Sequence, residues 1–519
     1  MQFDKKTCSR ARKTRDPRFD GRFFIGVVTS HVYCRSICPA PTANERNCRY
    51  FASAASAAEA GFRPCLRCRP ECSPGTPAWM GTSATVSRAL RLISESPLED
   101  GGIDALANRL GIGARHLRRL FVQHLGASPL QVVQTRRLHF VKKLIDETSL
   151  PMYQVAIAGG FGSVRRFNSI IRQTFRRTPT QLRNLAHQTA EQPENEYVFR
   201  LRFRPPFDWG RLLAFLSPRA TPGVEAVEDG AYRRTISLRG IHGYMEASLE
   251  NERGALCVRI CFPDPSLLFL IVERVRQMFD LNADPLEISN RLGADPCLCR
   301  EVASKPGLRV PGCWDGFELA VRAVLGQQVT VKVASTLAGQ LVQEFGAPMP
   351  LRLGLTHLFP TPRVLAGANL AGIGLPSTRA ETIQALAAAV DCGKISFSSG
   401  ADLNAFLLRF RGLSGIGEWT AQYVAMRAFG DPNAFPSSDS GLLRAASARD
   451  AKDLERRSRA WSPWRSYAAM YLWQKRREGD LGEEERHISS VTGNAKRPGF
   501  KRKLHLAGSA TTEALGRGQ

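Results

Sequence analysis

The sequence predicts a multidomain α+β chain: a small four-cysteine zinc domain, an all-α double helix-turn-helix domain, then an α+β segment passing into an all-α one. Three observations carry that prediction. Seven of the 13 cysteines fall in the first 72 residues, helix-turn-helix patterns recur twice between 103 and 179, and strand-like alternation over 197–262 gives way to helical periodicity from about 315.

At 519 residues the chain has room for three or four domains of about 150 residues each. Its 72 lysines and arginines outnumber 47 acids, and the net charge of +25 with a pI near 10.0 points to a polyanionic partner, nucleic acid first. Residues 1–190 hold 30 of the basic residues against 12 acidic ones, so the electrostatic footprint lies at the front. Hydrophobic residues at 43% and charged residues at 23% fit globular domains, and no stretch approaches the roughly 18 uninterrupted apolar residues of a membrane span. No membrane partner is expected. The start MQFDKKTCSRARK has no apolar stretch after its basic residues, so the expected location is cytoplasmic, where cysteines serve as thiols or metal ligands. Apolar-poor stretches at 72–78 and 187–195 cut the chain near 78 and 190, and a basic disordered tail containing NAKRPGFKRK is expected at 481–519.

Cys34, Cys38, Cys65 and Cys68 are spaced C-x3-C-x26-C-x2-C, two close pairs separated by a folded stretch, as a tetrahedral site for one Zn2+ requires. Two roles are open on spacing alone: a closed structural ribbon, or a cluster whose formal 2− charge makes one sulfur nucleophilic toward alkyl groups. Cys8, Cys48 and Cys72 fall outside the pattern. The runs DGRFFIGVVTSHVYCRSICPA, NERNCRYF and AAEAGFRPCLRCRPE resemble the N-terminal domain of the Ada family, which takes methyl groups from DNA phosphotriesters. The resemblance assigns residues 1–78 to that domain, makes Cys34 the methyl acceptor, and implies that methylation raises DNA affinity by removing one negative charge facing the phosphates.

IDALANRLGIGARHLRRLFVQHLGASP (103–129) sets Ala107 before a turn at Gly111, then a helix whose apolar Leu117, Leu120 and Phe121 alternate with Arg115, Arg118 and Arg119. MYQVAIAGGFGSVRRFNSIIRQTFRRTP (152–179) repeats the arrangement with Ala156, Gly160 and a recognition helix Ser163–Phe175 carrying Arg165, Arg166 and Asn168. A helix over Pro129–Glu147 is expected to join them. The pair resembles the AraC-type DNA-binding domain and takes in 82–185. Arginine and asparagine on such helices can read guanine and adenine edges while neighbouring arginines hold phosphates.

LSGIGEWTAQYVAMRAFG (413–430) opens on a turn where Gly415 and Gly417 let backbone amides approach a DNA phosphate, and FPSSDSGLLR follows with Asp439. This order resembles the helix-hairpin-helix base-excision glycosylases. RPPFDW (204–209), PGLRVPGCWDGFELAVRAVLGQQV (306–329) and WSPWRSYAAMYLW (461–473) resemble the AlkA-type 3-methyladenine DNA glycosylases, which divides the rest into an α+β domain at 195–305 and a helix-hairpin-helix domain at 306–480. The resemblance makes Asp439 the catalytic carboxylate. Trp419, Tyr423 and Trp473 become an aromatic pocket in which a cationic alkylated purine would sit against an indole face. Trp419 occupies the place of the Schiff-base lysine of lyase-active members, so a monofunctional, water-using enzyme is implied. With no cysteine after Cys392, the iron-sulfur cluster of some relatives is excluded behind the hairpin. Gln328 stands where the family has an intercalating leucine, Ser414 replaces the hairpin proline, and the chain lacks the Pro-Cys-His motif of the second methyltransferase domain of full-length Ada.

The expected function is a fused alkylation-response protein: a methyl sensor, a transcription activator engaging promoter DNA and RNA polymerase, and a glycosylase acting on alkylated duplex. The competing reading is a regulator whose glycosylase-like half binds damaged DNA without turnover. His31, His116, His124 and His242 show no ligand spacing.

Overall fold

Alternation in two short strands builds the first domain. Phe23 and Ile25 point to one side, packing with Cys8 and Cys48, while Phe24 and Tyr33 point to the other, against Ala57 and Phe62. The sheet runs Cys48–Phe51, Phe24–Val27, Val32–Cys34 and Arg63–Pro64, antiparallel except for the last pair. Helix Lys5–Lys13, capped by Asp4, and helix Ala54–Glu59 flank it. Cys8 and Cys48 are therefore core residues, apart from the other cysteines. The computed structural model describes residues 3–74, 84–95, 102–186, 193–250, 254–398 and 402–475, and Met1–Trp473 forms one compact unit.

The two helix-turn-helix units sit either side of a long helix, Pro129–Glu147, whose bounds match the expectation and whose start is capped by Ser128. The first comprises Gly102–Leu110 and Ala114–Leu125, the second Met152–Ala158 and Val164–Phe175. Each turn needs a left-handed residue: Gly111 and Gly160 both have φ +70°. Ser163 proves to be the cap of its helix rather than a helical residue, its side chain accepting from the Arg166 amide.

The next part is a five-stranded antiparallel sheet ordered Glu196–Arg202, Ala255–Cys261, Ile241–Glu250, Ala231–Leu238, Glu225–Glu228. Three of these strands match the expected ones within two residues. The other two escaped the pattern for physical reasons. Ile241–Glu250 contains Gly243, where a Cβ would lie 2.1 Å from the Cys261 carbonyl, and Glu225–Glu228 begins with a buried carboxylate paired with Arg322 at 2.8 Å. Helices Gly316–Leu325, Val331–Phe345, Ser377–Asp391, Leu403–Arg411 and Glu418–Arg427 form the last part, around Val321, Leu386, Phe410 and Val424. A two-stranded ribbon, Pro348–Arg352 with Leu355–His357, interrupts the helical region.

The parts share cores. Phe140 of the long helix packs edge-on to Phe269 and against Phe199 of the sheet, in one apolar cluster that also takes in Phe167, Ile171 and Phe175 of the second helix-turn-helix unit. Cys72, expected at the head of a linker, lies in a 3-10 turn, Pro70–Cys72, beside that same helix, where Arg69 pairs with Asp146 at 2.6 Å. Residues 75–78 and 187–192 of the expected linkers, and the tail at 481–519, fall outside the described residues. No described helix is long and apolar enough to cross a membrane.

Candidate functional site

The sulfurs of Cys34, Cys38, Cys65 and Cys68 all lie within 4.8 Å of one another. Four Zn–S bonds of about 2.3 Å put tetrahedral sulfurs about 3.8 Å apart, so the donor set fits one zinc ion. Contact with the other three sulfurs pushes Cys68 up and Cys65 down, so the four cannot all ionise unless a cation sits among them. Cys34, Cys38 and Cys65 line a groove of about 230 Å³, and of the four only Cys34 and Cys38 are part-exposed, Cys65 and Cys68 being buried. The more accessible pair includes the sulfur expected to react. Sequence reasoning missed the cluster's support. The Arg35 amide donates to Cys68 Sγ at 3.4 Å, its Nη1 donates to the Cys68 carbonyl at 2.9 Å, and its guanidinium also grips the buried Asp20 carboxylate. A buried cation beside a 2− cluster offsets part of its charge.

Arg115, Arg118 and Arg119 are exposed on Ala114–Leu125, with Leu117 and Phe121 of the same helix buried beneath. Arg165, Arg166 and Asn168 are likewise exposed on Val164–Phe175, over buried Phe167 and Ile171. Each helix thus presents a basic face whose register is held by its apolar face.

The hairpin follows from local chemistry. Helix Leu403–Arg411 stops at Gly412, the chain turns through Gly415 at φ +81°, and Glu418–Arg427 restarts from an extended Gly417. A Cβ on Gly415 would fall 2.1 Å from Thr382 Oγ1, so only glycine fits. Gly415 and Gly417 are both exposed.

Twelve residues beyond that helix, the half-buried Asp439 caps Ser440–Ala445, its Oδ1 accepting from the Leu442 amide at 2.9 Å. A cap and a chemical group are here one residue. Trp419 Nε1 donates to Asp439 Oδ2 at 2.8 Å, and Trp473 Nε1 donates to Oδ1 at 3.1 Å. Tyr423 stacks on Trp419 with ring planes 9° apart and centroids at 5.2 Å, and meets Trp473 edge-on at 6.4 Å. The structure therefore brings together all four residues expected there. The sequence suggested their rings and missed their N–H groups, which fix the carboxylate in place. Such an arrangement, a held carboxylate beside aromatic faces, can stabilise positive charge developing on a bound sugar.

Gln328 is exposed at φ +56° in the loop between Gly316–Leu325 and Val331–Phe345. Its neighbour Gln327 ties that loop to the hairpin, donating from Nε2 to the Gly415 carbonyl at 3.0 Å and to Thr420 Oγ1 at 3.1 Å. Arg379 in turn donates to the Gln327 carbonyl at 2.7 Å. No spacing or residue type in the sequence singles out Gln327 from its identical neighbour.

Family models match three parts of the chain: the metal binding domain of Ada over 7–71, a helix-turn-helix domain over 106–185, and the AlkA N-terminal domain over 198–315. The probable bifunctional transcriptional activator/DNA repair enzyme AlkA of Mycobacterium tuberculosis is 41% identical over 481 residues, covering 91% of this chain and 97% of that one. The chain belongs to this AlkA-type bifunctional activator and repair family. Two Escherichia coli proteins match its halves separately. DNA-3-methyladenine glycosylase 2 is 32% identical across 53% of this chain and 96% of its own length. The bifunctional transcriptional activator/DNA repair enzyme Ada is 37% identical across 24% of this chain and 34% of its own. In this AlkA-type member the four-cysteine cluster is a zinc site.

Proposed function

We propose that this chain excises alkylated bases of the 3-methyladenine type from duplex DNA by hydrolysis, and that the same polypeptide senses methyl phosphotriesters and activates transcription. The observation that carries the reading is the Asp439 carboxylate held by two indoles beside an aromatic stack and a glycine hairpin. The C1′–N bond breaks with its electron pair leaving on the alkylated base, water adds at C1′, and its proton passes to solvent; Asp439 stabilises the cationic sugar between these events. Trp419, Tyr423 and Trp473 enclose the extruded base, Gly415 and Gly417 hold the backbone through their amides, and Gln328 enters the space the base has left.

At the front, the methyl carbon passes from a phosphotriester oxygen to Cys34 Sγ. The C–O electron pair stays on the phosphate, and the cluster goes from 2− to 1−. Zinc, when bound, keeps the thiolates deprotonated; the chain's own part is to expose Cys34 and to brace the cluster through Arg35 and Asp20. Arg115, Arg118, Arg119, Arg165, Arg166 and Asn168 contact promoter DNA, and RNA polymerase is the activation partner, in the cytoplasm at the nucleoid. The working parts are residues 1–78, 82–185, 195–305 and 306–480, with a tail at 481–519.

Incubation of the purified chain with methylated duplex DNA tests this reading. Free 3-methyladenine and abasic sites in an unbroken strand are expected. Damage-dependent binding with no base released would make the second half a reader of damage instead.

A further inference from the structure

The polar groups of the aromatic pocket can be accounted for one by one, and one donor is left over. The N–H groups of Trp419 and Trp473 are both spent on Asp439. Tyr423, half-buried between the two indoles, accepts a hydrogen bond from Arg427 Nη1 at 2.6 Å. Arg427 itself is 5% exposed, and its Nε and Nη2 donate to the carbonyls of Pro311 and Gly312 at 2.9 and 3.0 Å. The guanidinium is thus locked on three acceptors, and the phenol oxygen has one lone pair committed. Its own proton has no acceptor among the described residues. Burial alone would push this phenol up, but the charges of Arg427 and Arg219 and the Arg427 hydrogen bond outweigh it and hold the group below its ordinary value. An acidified hydroxyl is a stronger donor.

An unspent donor in a ligand pocket selects for a ligand that supplies the acceptor, because a ligand without one leaves the donor desolvated and unpaired. We propose that the Tyr423 hydroxyl, oriented by Arg427, donates to an exocyclic oxygen of the extruded base and so favours oxo-bearing bases over amino-bearing ones. The inference rests on the Asp439 pocket being the excision site. Tyr423 is then a specificity-determining residue, and Arg427 is a positioning residue that acts through it.

The test is single-turnover excision by the full chain on duplexes carrying 7-methylguanine, hypoxanthine or 3-methyladenine. The first two share a 6-oxo group but differ in charge, whereas the third carries an amino group there. Tyr423→Phe, which keeps the stack, is expected to lower the rate of oxo-base release relative to 3-methyladenine release at least tenfold, whatever loss the three bases share. Replacing Tyr423 by a fluorotyrosine, a stronger donor of the same shape, is expected to move the two oxo rates upward, a response that a purely structural ring would not give. Equal losses on all three bases, or unchanged release of the oxo bases by Tyr423→Phe, overturn the proposal. Asp439→Asn run in parallel separates the levels. Release retained by that variant overturns the pocket assignment and the proposal together, while release lost there but indifferent to Tyr423→Phe overturns only the selectivity.

Discussion

Arg22 Nε lies 2.8 Å from the Asp284 carboxylate, with side-chain exposures of 1% and 0%, and the contact ties the zinc domain to the part that follows the regulatory helices. The N–H is not aligned on the oxygen, so the pair is a charge contact, with Glu287 3.3 Å from the same guanidinium and the Phe3 ring 4.3 Å away. Close by, the fully buried Arg204 donates from Nε to the Asp20 carbonyl at 2.9 Å, and the Asp20 side chain in turn holds Arg35 beside the cluster. The sensor is thereby built into the same folded body as the repair half.

Removing one partner of a buried pair strands the other charge. Arg22→Ala is expected to destabilise the chain by about 3 to 5 kcal/mol. Adding Asp284→Asn to Arg22→Met should recover part of that loss, since asparagine can still cap Pro285–Leu292 while carrying no charge. Thermal or urea unfolding of the three chains decides it; a loss within 0.5 kcal/mol for Arg22→Ala would mean the contact does not hold the two parts together.

His139 makes stability fall in acid. The Tyr33 hydroxyl pairs with His139 Nε2 at 2.8 Å, and burial holds the imidazole down at about 4, against about 6.5 in an unfolded chain. The unfolded state therefore binds the proton first. The stabilisation is complete above about pH 6.5 and is lost as pH falls toward about 4. His139→Gln, which offers Tyr33 an acceptor that does not titrate there, is expected to show a smaller drop in Tm between pH 7 and pH 5 than the parent chain. An identical drop in both would place the acid sensitivity elsewhere.

At the zinc cluster, Cys34→Ala is expected to abolish methyl transfer from phosphotriester DNA, and methylation of the parent chain should tighten DNA binding roughly tenfold through loss of one negative charge. Labelled methyl counted per chain and binding titrations at fixed salt measure both. Stoichiometric transfer by the variant would remove Cys34 from its role, and unchanged affinity after methylation would leave the front half as a delivery module.

Much of this was legible in the sequence because the decisive signals are local. Cysteine spacing anticipated the cluster, apolar periodicity and Gly111 and Gly160 anticipated both helix-turn-helix units, and Asp439 with Trp419, Tyr423 and Trp473 was recognised before their contact was visible. Long-range partnerships were not legible. Nothing near Gln327 says that it pins a hairpin some 88 residues on, nothing around Arg427 points to the carbonyls of Pro311 and Gly312, 116 and 115 residues earlier, and nothing in Arg22 anticipates Asp284. Such contacts are fixed by tertiary packing, which brings distant charges and donors into register. The strand Ile241–Glu250 was missed for the same reason, since Gly243 is demanded by the neighbouring strand and not by its own pattern.

The central claim is that Asp439 performs the excision and does more than cap a helix. The most direct test follows release of 3-methyladenine from methylated duplex by the full chain and by Asp439→Asn, with unfolding of both recorded alongside. Asparagine Oδ1 can still accept from the Leu442 amide and Trp473, but its Nδ2 faces the Trp419 N–H, so a stability loss of about 1 to 3 kcal/mol is expected from a variant that still folds. Release is expected to fall at least a hundredfold, with no strand cleavage by either chain. A stable Asp439→Asn variant that releases base at the parent rate would contradict the account.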